Sequence, residues 1–398
     1  MERRNFIRLA GGGTVAVATL GLSGCISSGM PAQAVEAWKG PGVNESDPRR
    51  RALAYAITAP NPHNLQPWLV DLREPNVITL RTDSQRVLPE TDPFGRQIMV
   101  GHGTFLELLV IALAEQGLKA DVQLWPQGEM PVELKDWRAA MKLPVARITI
   151  SSGAAKDTLF AQILNRHTVK INFDTTKTVS EANLQSILKA THSGVRASRV
   201  QSGGTVQEQR MVRLRQLTLD SAFVELRTPR TNLESIKLAR VGPDEILQNR
   251  DGISINSPMV RALTAFGQFD RTIATPPGST AEKKFIERFD GTSKTAMGFV
   301  WITGGNTRAD QVEAGRAYVR LQLQATSLGI GMHPLSQALQ EFPEMKANYE
   351  KAHQLIVGKA APQTPADETV QMLCRIGYTP EPAPATPRRA LEKFIVTA

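Results

Sequence analysis

The segment spanning residues 59–68, with the sequence APNPHNLQPW, concentrates polar side chains that could bind a ligand. Pro60 and Pro62 end a helix predicted over residues 51–57, because proline lacks a backbone donor and forces the residue before it into extended geometry. We therefore predict a rigid, extended corner that presents an imidazole and two amides. Residue types alone would also fit an ordinary proline-rich exit from a helix. The polar side chains are His63, Asn64 and Gln66.

Two basic segments could neutralise an anion. The first, residues 166–170, has the sequence RHTVK and precedes a predicted capping box from Thr178 to Glu181. The second, Arg388 and Arg389, follows a proline-rich stretch near the C-terminal end. The planar guanidinium group of arginine matches a phosphate dianion, and a fixed lysine adds a point charge. A solvated basic surface is the alternative for both segments.

The spacing A-P-x-x-x-N-x-Q-P-W in residues 59–68 resembles the signature of the FMN-dependent nitroreductase family, and residues 166–170 resemble its opening motif, R-x-S/T-x-K/R. This resemblance implies an FMN site built across a dimer-like interface. In such a site Arg166 would bind the phosphate, and Lys170 would lie beside N1 and O2 of the flavin ring. A cation at that position favours the reduced, anionic flavin. Arg388 and Arg389 would complete the phosphate clamp.

Residues 330–337 resemble the family's loop against the flavin, in which a backbone N–H faces N5; here the donor would be Ser336 or Gln337. The acidic residue and glycine common in this loop are missing, and His333 is interpreted as structural. No catalytic side chain is expected, because FMN carries the redox chemistry. The predicted cofactor-binding residues are Pro62, His63, Asn64, Gln66, Arg166, His167, Thr168, Lys170, Ser336, Gln337, Arg388 and Arg389.

The composition is that of an ordinary globular protein, with 398 residues of which 41% are hydrophobic and 21% charged. The two cysteines, Cys25 and Cys374, do not allow a disulfide framework, and no metal-binding motif occurs. A net charge of +9 suits an anionic cofactor or anionic lipid heads. Basic residues do not alternate with aromatic ones, so nucleic acid is not predicted as a partner.

Two predicted helices, Gly103 to Gly117 and Gly315 to Gly329, match at both ends and in their apolar positions, which indicates an internal duplication. Together with the family resemblance, the repeat predicts an α+β fold, a nitroreductase-like α/β sandwich in which two halves of one chain form a pseudo-dimer. The corner occurs only in the first half and RHTVK only in the second. We therefore expect one FMN site per chain and a monomer. This asymmetry resembles the Acg-like branch of the family.

The N-terminal residues resemble a targeting signal rather than part of a domain. Arg3 and Arg4 resemble a twin-arginine (Tat) export motif, and residues 22–25 (LSGC) resemble a lipobox in which Cys25 is lipidated. We therefore predict an exported lipoprotein anchored in the membrane of the periplasm or cell envelope. The predicted divisions are the signal (1–25), a flexible tether (26–47), the first half (48–157) and the second half (158–398), with a lid-like insertion (225–295) and a C-terminal arm.

These expectations favour an oxidoreductase that works by ping-pong transfer through FMN, from a donor that the sequence does not identify to a nitroaromatic, a quinone or a similar acceptor. A second hypothesis is an FMN-binding or FMN-storage protein with little turnover, whose lid covers the flavin. A third is a structural lipoprotein that has lost its cofactor, which the intact motifs disfavour. A hydrolase is not supported, because no G-x-S-x-G motif occurs.

Overall fold

The computed structural model of the chain describes residues 29–132, 139–192 and 200–396, so the predicted export signal and Cys25 lie outside the described residues. Part of the predicted tether, in contrast, is folded. Residues Ala32–Lys39 form a 3-10 helix in which Ala34 is fully buried, and Trp38 Nε1 donates to Thr386 O at 2.7 Å. Residues Ala32–Lys39 of the segment predicted as a flexible tether (26–47) are thus folded, because Ala34 and Trp38 anchor them to the C-terminal arm.

The first half forms a four-stranded antiparallel sheet and two helices. Its elements are α1 (Pro48–Ala56), β1 (Trp68–Asp71), β2 (Val77–Thr82), α2 (Arg96–Glu115), β3 (Leu118–Leu124) and β4 (Ala146–Ser152). The strands lie in the order β1-β2-β4-β3. Residues in β3 alternate between half-buried and exposed, as the polar and apolar alternation of its sequence predicts. The helix α2 packs against α1 and β3.

The second half repeats this plan. Its corresponding elements are α3 (Glu181–Lys189), β5 (Gln201–Thr205), β8 (Gly298–Gly304), α9 (Arg308–Ser327), β9 (Gly331–Pro334) and β10 (Thr369–Gly377). The strands lie in the order β5-β8-β10-β9, so each strand occupies the position of its counterpart in the first sheet. Ser180, and not Thr178 as predicted, caps α3, since its side chain accepts from Asn183 N. The mixture of helices and antiparallel sheets confirms the predicted α+β class.

Two insertions distinguish the second half. The larger lies between β5 and β8 and consists of α4 (Glu208–Arg227), α5 (Pro229–Lys237), β6 (Ala239–Val241), α6 (Gly242–Asn249), β7 (Ile253–Ile255), α7 (Pro258–Ala265) and α8 (Thr280–Lys294). The strands β6 and β7 form a short parallel pair. The smaller insertion, between β9 and β10, holds α10 (Lys346–Ile356). The predicted lid-like segment therefore consists of short helices and one small sheet.

The helices α2 and α9 cross at the centre of the molecule and extend beyond their predicted starts. Each is 20 residues long, and Gly103 and Gly315, predicted as helix boundaries, lie inside them. At the other end, Gly117 and Gly329 follow the helices with φ of 73° and 68°, so both terminate the helices as predicted. Among the described helices, α2 alone is apolar and long enough to span a membrane, but 83% of its apolar window is buried in the fold, as in a core helix.

A buried charge cluster joins the two long helices. Glu107 of α2 accepts from Arg316 Nε at 2.9 Å and from Arg320 Nη1 at 2.8 Å, both on α9. The side chain of Glu107 is 1% exposed. A buried carboxylate between two guanidinium groups is stable only because each charge is paired. This cluster, with the apolar side chains around it, holds the two halves in one arrangement.

Candidate cofactor-binding cavity

A cavity of about 310 Å³ lies where the two halves and the larger insertion meet. This volume is within the range of small-molecule and cofactor sites. Both halves and the insertion line the cavity. Of the twelve predicted cofactor-binding residues, the structure brings eight to its wall: Pro62, His63, Asn64, Thr168, Lys170, Ser336, Gln337 and Arg388.

The corner before β1 is strained rather than extended. His63, Asn64 and Gln66 have φ of 46°, 54° and 55°, a left-handed backbone that is uncommon outside glycine. The prediction of an extended corner is therefore wrong; Pro62–Asn64 form a tight 3-10 turn instead. Strained backbone of this kind persists only where surrounding contacts enforce it, and it is concentrated at functional sites.

The two amides of the corner bind the C-terminal arm. Asn64 Oδ1 accepts from Arg388 Nη1 at 2.6 Å, and Asn64 Nδ2 donates to Pro387 O at 3.0 Å. Gln66 Oε1 accepts from Arg389 N at 2.9 Å. Asn64 lines the cavity, whereas Gln66 and Arg389 lie behind its wall and support it. These contacts explain how the strained turn is held.

Arg166 and His167 also lie behind the cavity wall. Arg166 Nη2 donates to Thr58 O at 2.6 Å, and Nη1 donates to Gln322 Oε1 at 3.0 Å, while Nε is buried without a partner. Trp38 covers this region, with its ring centroid 5.4 Å from Arg166 Cζ and 4.5 Å from the ring of His167. Two of the three nitrogens of Arg166 are thus already engaged within the protein.

Arg388 and Arg166 donate to the same carbonyl, Thr58 O, so Arg388 connects the corner to the first basic segment. Its Nε donates to Ile57 O at 2.8 Å and its Nη2 to Thr58 O at 2.9 Å. Trp38 stacks on this guanidinium too, with its ring 5.2 Å from Arg388 Cζ. The indole therefore lies beside Arg166 and Arg388, two of the three arginines that the family resemblance assigns to the phosphate. This contact connects the N-terminal segment to that end of the site.

Lys170 and Arg288 give the cavity its positive charge. Both line the cavity, and neither side chain forms a hydrogen bond or ion pair with another residue of the described ranges. Burial by the surrounding protein, together with the charges of Arg288 and Arg388, lowers the pKa of Lys170 to about 8. Burial also lowers the pKa of Arg288. Both side chains keep a large accessible surface and are therefore available to a ligand. Two unpaired cations that line the same cavity are the expected environment of an anionic ligand.

The histidines at the cavity, His63 and His333, are neutral and add no positive charge to it. Burial and the charge of Lys170 lower the pKa of His63 to about 4. Burial, followed by the charges of Arg375 and Lys170, lowers the pKa of His333 well below its usual value. Because Arg375 Nε donates to His333 Nδ1 at 3.1 Å, neutral His333 carries its proton on Nε2. His333 therefore offers a fixed hydrogen-bond donor at the cavity wall, beyond the structural interpretation made from the sequence.

The loop after β9 supplies backbone donors. Ser336 Oγ donates to Leu373 O at 3.0 Å, which fixes the loop against β10. The backbone N–H groups of Ser336 and Gln337 make no hydrogen bond to any of the described residues. Both residues line the cavity, so the loop has the free donors that the family resemblance requires beside a flavin.

The donor set of the cavity fits FMN. Buried polar atoms without partners belong to four residues of its wall: His63 Nδ1, Tyr318 Oη, Gln337 Oε1 and Gln340 Oε1. Unpartnered buried polar atoms are costly, and a flavin ring with several donors and acceptors along its edge would satisfy such atoms. The two cations would match the negative charge of such a cofactor. No group of three potential metal ligands occurs in the described part of the chain.

Three residues of this site were missed from the sequence. Arg288 lies on α8, in a stretch with no clear hydrophobic period, and nothing in its sequence context distinguishes it from surface arginines. Trp38 lies in the predicted tether, although an indole in a segment rich in glycine and proline was an available signal. Glu225 is buried at the cavity and accepts from Ser235 Oγ and Gln340 Nε2, and burial raises its pKa.

The fold and the site can be compared with known proteins: an α+β fold of two matching halves, with one basic cavity between them. No protein-family model matches the chain. The chain is 26% identical over 358 residues to "Putative NAD(P)H nitroreductase acg" of Mycobacterium tuberculosis, covering 87% of this chain and 95% of the relative. A second protein of that organism with the same descriptive name is 24% identical over 349 residues, covering 87% and 90%. The chain is thus a homologue of these nitroreductase-type proteins over nearly their full lengths.

Solved structures similar to the chain include an FMN-dependent nitroreductase, NfnB, from Mycobacterium smegmatis in complex with NADPH. It is 16% identical, with a TM-score of 0.38, over 60% of this chain and 96% of the other. A nitroreductase with bound FMN from Bacteroides fragilis is also 16% identical, with a TM-score of 0.34, over 61% of this chain and all of the other.

Proposed function

We propose that the protein is an FMN-dependent oxidoreductase of the nitroreductase type. The observation that carries this proposal is the pair of unpaired cations, Lys170 and Arg288, in a cavity whose wall also holds unpartnered polar atoms. Homology to proteins described as NAD(P)H nitroreductases supports the same class of reaction. When bound, FMN would supply the hydride chemistry, which no side chain of the protein provides.

The residues of the chain would bind and orient the cofactor. Lys170 and Arg288 would neutralise the phosphate and the ring edge that becomes negative on reduction. The free backbone N–H groups of Ser336 and Gln337, with His333 Nε2–H, would donate to the ring edge. The strained turn at His63 and Asn64 would hold one side of the site rigid. We propose a ping-pong mechanism, in which the electron donor and the electron acceptor would occupy the same cavity in turn.

One observation favours the alternative of an FMN-storage protein with little turnover. The insertion contributes a large apolar part of the cavity wall, so the bound cofactor would be covered. Its apolar residues at the cavity are Leu226, Ile236, Ala239, Ile253, Ile255, Phe269, Phe285 and Phe289. A cover that opens slowly would retain FMN and exclude acceptors. The two functions differ in turnover, not in the cofactor.

A visible absorption spectrum of the purified full chain, followed by anaerobic addition of NADPH, tests this proposal. We expect about one FMN per chain, because one cavity carries the two cations. Rapid bleaching that a nitroaromatic or quinone reverses supports an oxidoreductase that uses NADPH. A flavin that stays oxidised with NADPH but is bleached by a quinol indicates a different donor. If neither NADPH nor the quinol reduces the flavin, the result favours storage. If the protein is colourless and cannot be reconstituted with FMN, the proposal is refuted.

The two cations can be tested separately from turnover. Lys170→Met and Arg288→Met should each weaken FMN binding by roughly tenfold or more, since charge-assisted bonds to phosphate are strong. Lys283→Met is a matched control, because Lys283 lies on the same helix as Arg288 but does not line the cavity. Equal affinity of all three variants and the parent protein would show that the phosphate binds elsewhere.

For localisation, we propose that Tat export and lipidation of Cys25 attach the protein to the cell envelope. Tat transport accepts folded proteins and therefore suits a chain loaded with FMN in the cytoplasm. Cys25→Ser should release the protein from membranes into the soluble fraction. A Cys374→Ser variant serves as the control, since this second cysteine is buried in β10. Membrane association that survives Cys25→Ser would reveal another anchor.

A further inference from the structure

The exposed large apolar side chains of the described residues are concentrated in one short segment. Five such side chains are more than 40% exposed: Val43, Val212, Met259, Phe266 and Ile273. Three of them lie within residues 259–273, on α7 and in the loop that follows it. Phe266 is 82% exposed, which is unusual for an aromatic side chain. Clustered exposed apolar groups on a soluble domain mark an interaction surface.

The helix α7 has two apolar faces. Val260 and Leu263 pack inward, against a small buried cluster made of Ile236, Ala239, Val241 and Phe269. Met259 and Phe266 are seven residues apart, so they lie on one face two turns along the helix. None of the residues of α7 is buried. The helix is thus attached to the fold by one face and leaves the other without a partner in the described structure.

The N-terminal end of the described chain lies beside this helix. Asn256 Nδ2, two residues before α7, donates to Gly29 O at 2.7 Å. Only residues 26–28 separate Gly29 from Cys25 in the sequence. The four Cα–Cα steps from Cys25 to Gly29 span at most about 14 Å. An acyl chain on Cys25 would therefore hold this end of α7 close to the bilayer surface.

We propose that the outer face of α7, defined by Met259 and Phe266, docks on the lipid bilayer. The occupant is a membrane, because Gly29, which contacts Asn256 just before α7, is separated from the predicted lipidation site by only three residues. The exposed segment 259–273 carries Arg261, Asp270 and Arg271, so it has no excess of carboxylates that would repel anionic lipid heads. One lipid chain alone gives reversible attachment, and a second apolar contact is the usual supplement. The orientation of α7 toward the bilayer rests on the proposed lipidation of Cys25.

The test places a reporter on α7 of the full, lipidated protein. Met259→Cys can be labelled with a polarity-sensitive fluorophore, since Cys374 is 1% exposed and burial raises the pKa of its thiol. The protein is reconstituted in vesicles of phosphatidylethanolamine and phosphatidylglycerol, with and without brominated acyl chains. We expect a blue shift and quenching by bromine. Val212→Cys, on α4 and 52% exposed, is the matched control and should show neither.

A Met259 label that behaves like the Val212 label overturns the docking, whether or not the protein carries an acyl chain. A second variant, Phe266→Ser with Met259→Cys, should lose most of the shift if the face inserts as a unit. If Cys25 proves not to be lipidated, the labelled protein without an acyl chain is mixed with the same vesicles. Docking then still requires a blue shift and quenching by bromine of the label at position 259. FMN absorbance measured on the same samples reports on the proposed function separately, because the label lies outside the cavity wall.

Discussion

Gly103 and Gly315 each face a backbone carbonyl of the opposite long helix. A Cβ atom at Gly103 would lie 1.9 Å from Val312 O, and one at Gly315 would lie 1.9 Å from Val100 O. The two glycines and the two valines are both 212 residues apart in the sequence. The contacts are thus exchanged by a local two-fold relationship between α2 and α9. Glycine is required at both positions because the backbones touch.

Gly103→Ala and Gly315→Ala should each destabilise the protein. The added methyl group would overlap a carbonyl that belongs to a buried helix backbone, so the helices would have to separate. Overpacking of this kind costs about 1–3 kcal/mol, or more where backbone must move. Urea unfolding would measure the loss. Gly42→Ala is the control, because no atom lies within 4 Å of its added methyl group. Equal stability of the Gly103 variant and the control would contradict the close crossing.

Glu107→Gln should also destabilise the fold, by about 1–3 kcal/mol, because Arg316 and Arg320 would lose their shared carboxylate and keep only Glu313 and Asp157 as partners. The shape of the side chain is preserved, so the loss would report on charge. Glu115→Gln, on the same helix, is the control; its partner Lys156 is 69% exposed, and such pairs contribute little. A thermal melt in which both variants behave alike would argue against a structural role for the buried cluster.

Acid should destabilise the protein through His102. This side chain is fully buried; Nδ1 donates to Ile98 O, Nε2 accepts from Thr82, and burial lowers its pKa to about 4. Because the folded pKa lies below the unfolded value, the stabilisation is complete above about pH 6.5 and declines as the pH falls toward 4, by about 3 kcal/mol for this group. In His102→Asn, whose amide can still donate to Ile98 O, the free energy of unfolding should depend less steeply on pH. An unchanged slope would assign the acid sensitivity to other groups.

FMN affinity should fall as the pH rises through about 8. Lys170 in the free protein has a pKa of about 8, so it becomes neutral above this pH and loses its attraction for an anion. Fluorescence titrations with FMN at a series of pH values would follow the change. The Lys170→Arg variant keeps its positive charge at every pH tested, so its affinity for FMN should change less across the same pH range. Identical profiles for the two proteins would remove Lys170 from the binding site.

The central helices could be predicted from the sequence because they repeat at one spacing. The start of α2 could not, since Asp92 caps it across a left-handed Gly95 and no residue pattern marks that geometry. The start of α9 does carry a sequence signal, the capping box of Thr307 and Asp310, and this signal was missed. The strain at His63 and Asn64 was equally hidden, because residue types suggest an extended corner and only contacts with Arg388 reveal the tight turn. Local pattern therefore predicted the scaffold, whereas long-range contacts determine the site.

The eight predicted site residues that line the cavity come from four short segments: the corner, residues 168–170, the loop after β9 and the C-terminal arm. Arg166 is different: its guanidinium is held by Thr58 and Gln322 and covered by Trp38, and these partners lie far away in the sequence. Arg288 supplies a cation instead, from a segment that has no counterpart in the first half. An insertion can thus replace a contact that a family motif leads one to expect.

The helices α2 and α9 that cross belong to a single polypeptide, so the assembly of the site does not depend on protein concentration. A site built between separate subunits comes apart when their concentration falls below the dissociation constant. Here the two sides are covalently connected, so each meets the other at an effective concentration of roughly millimolar or above. The cavity between them would remain assembled even with only a few copies of the protein in a cell.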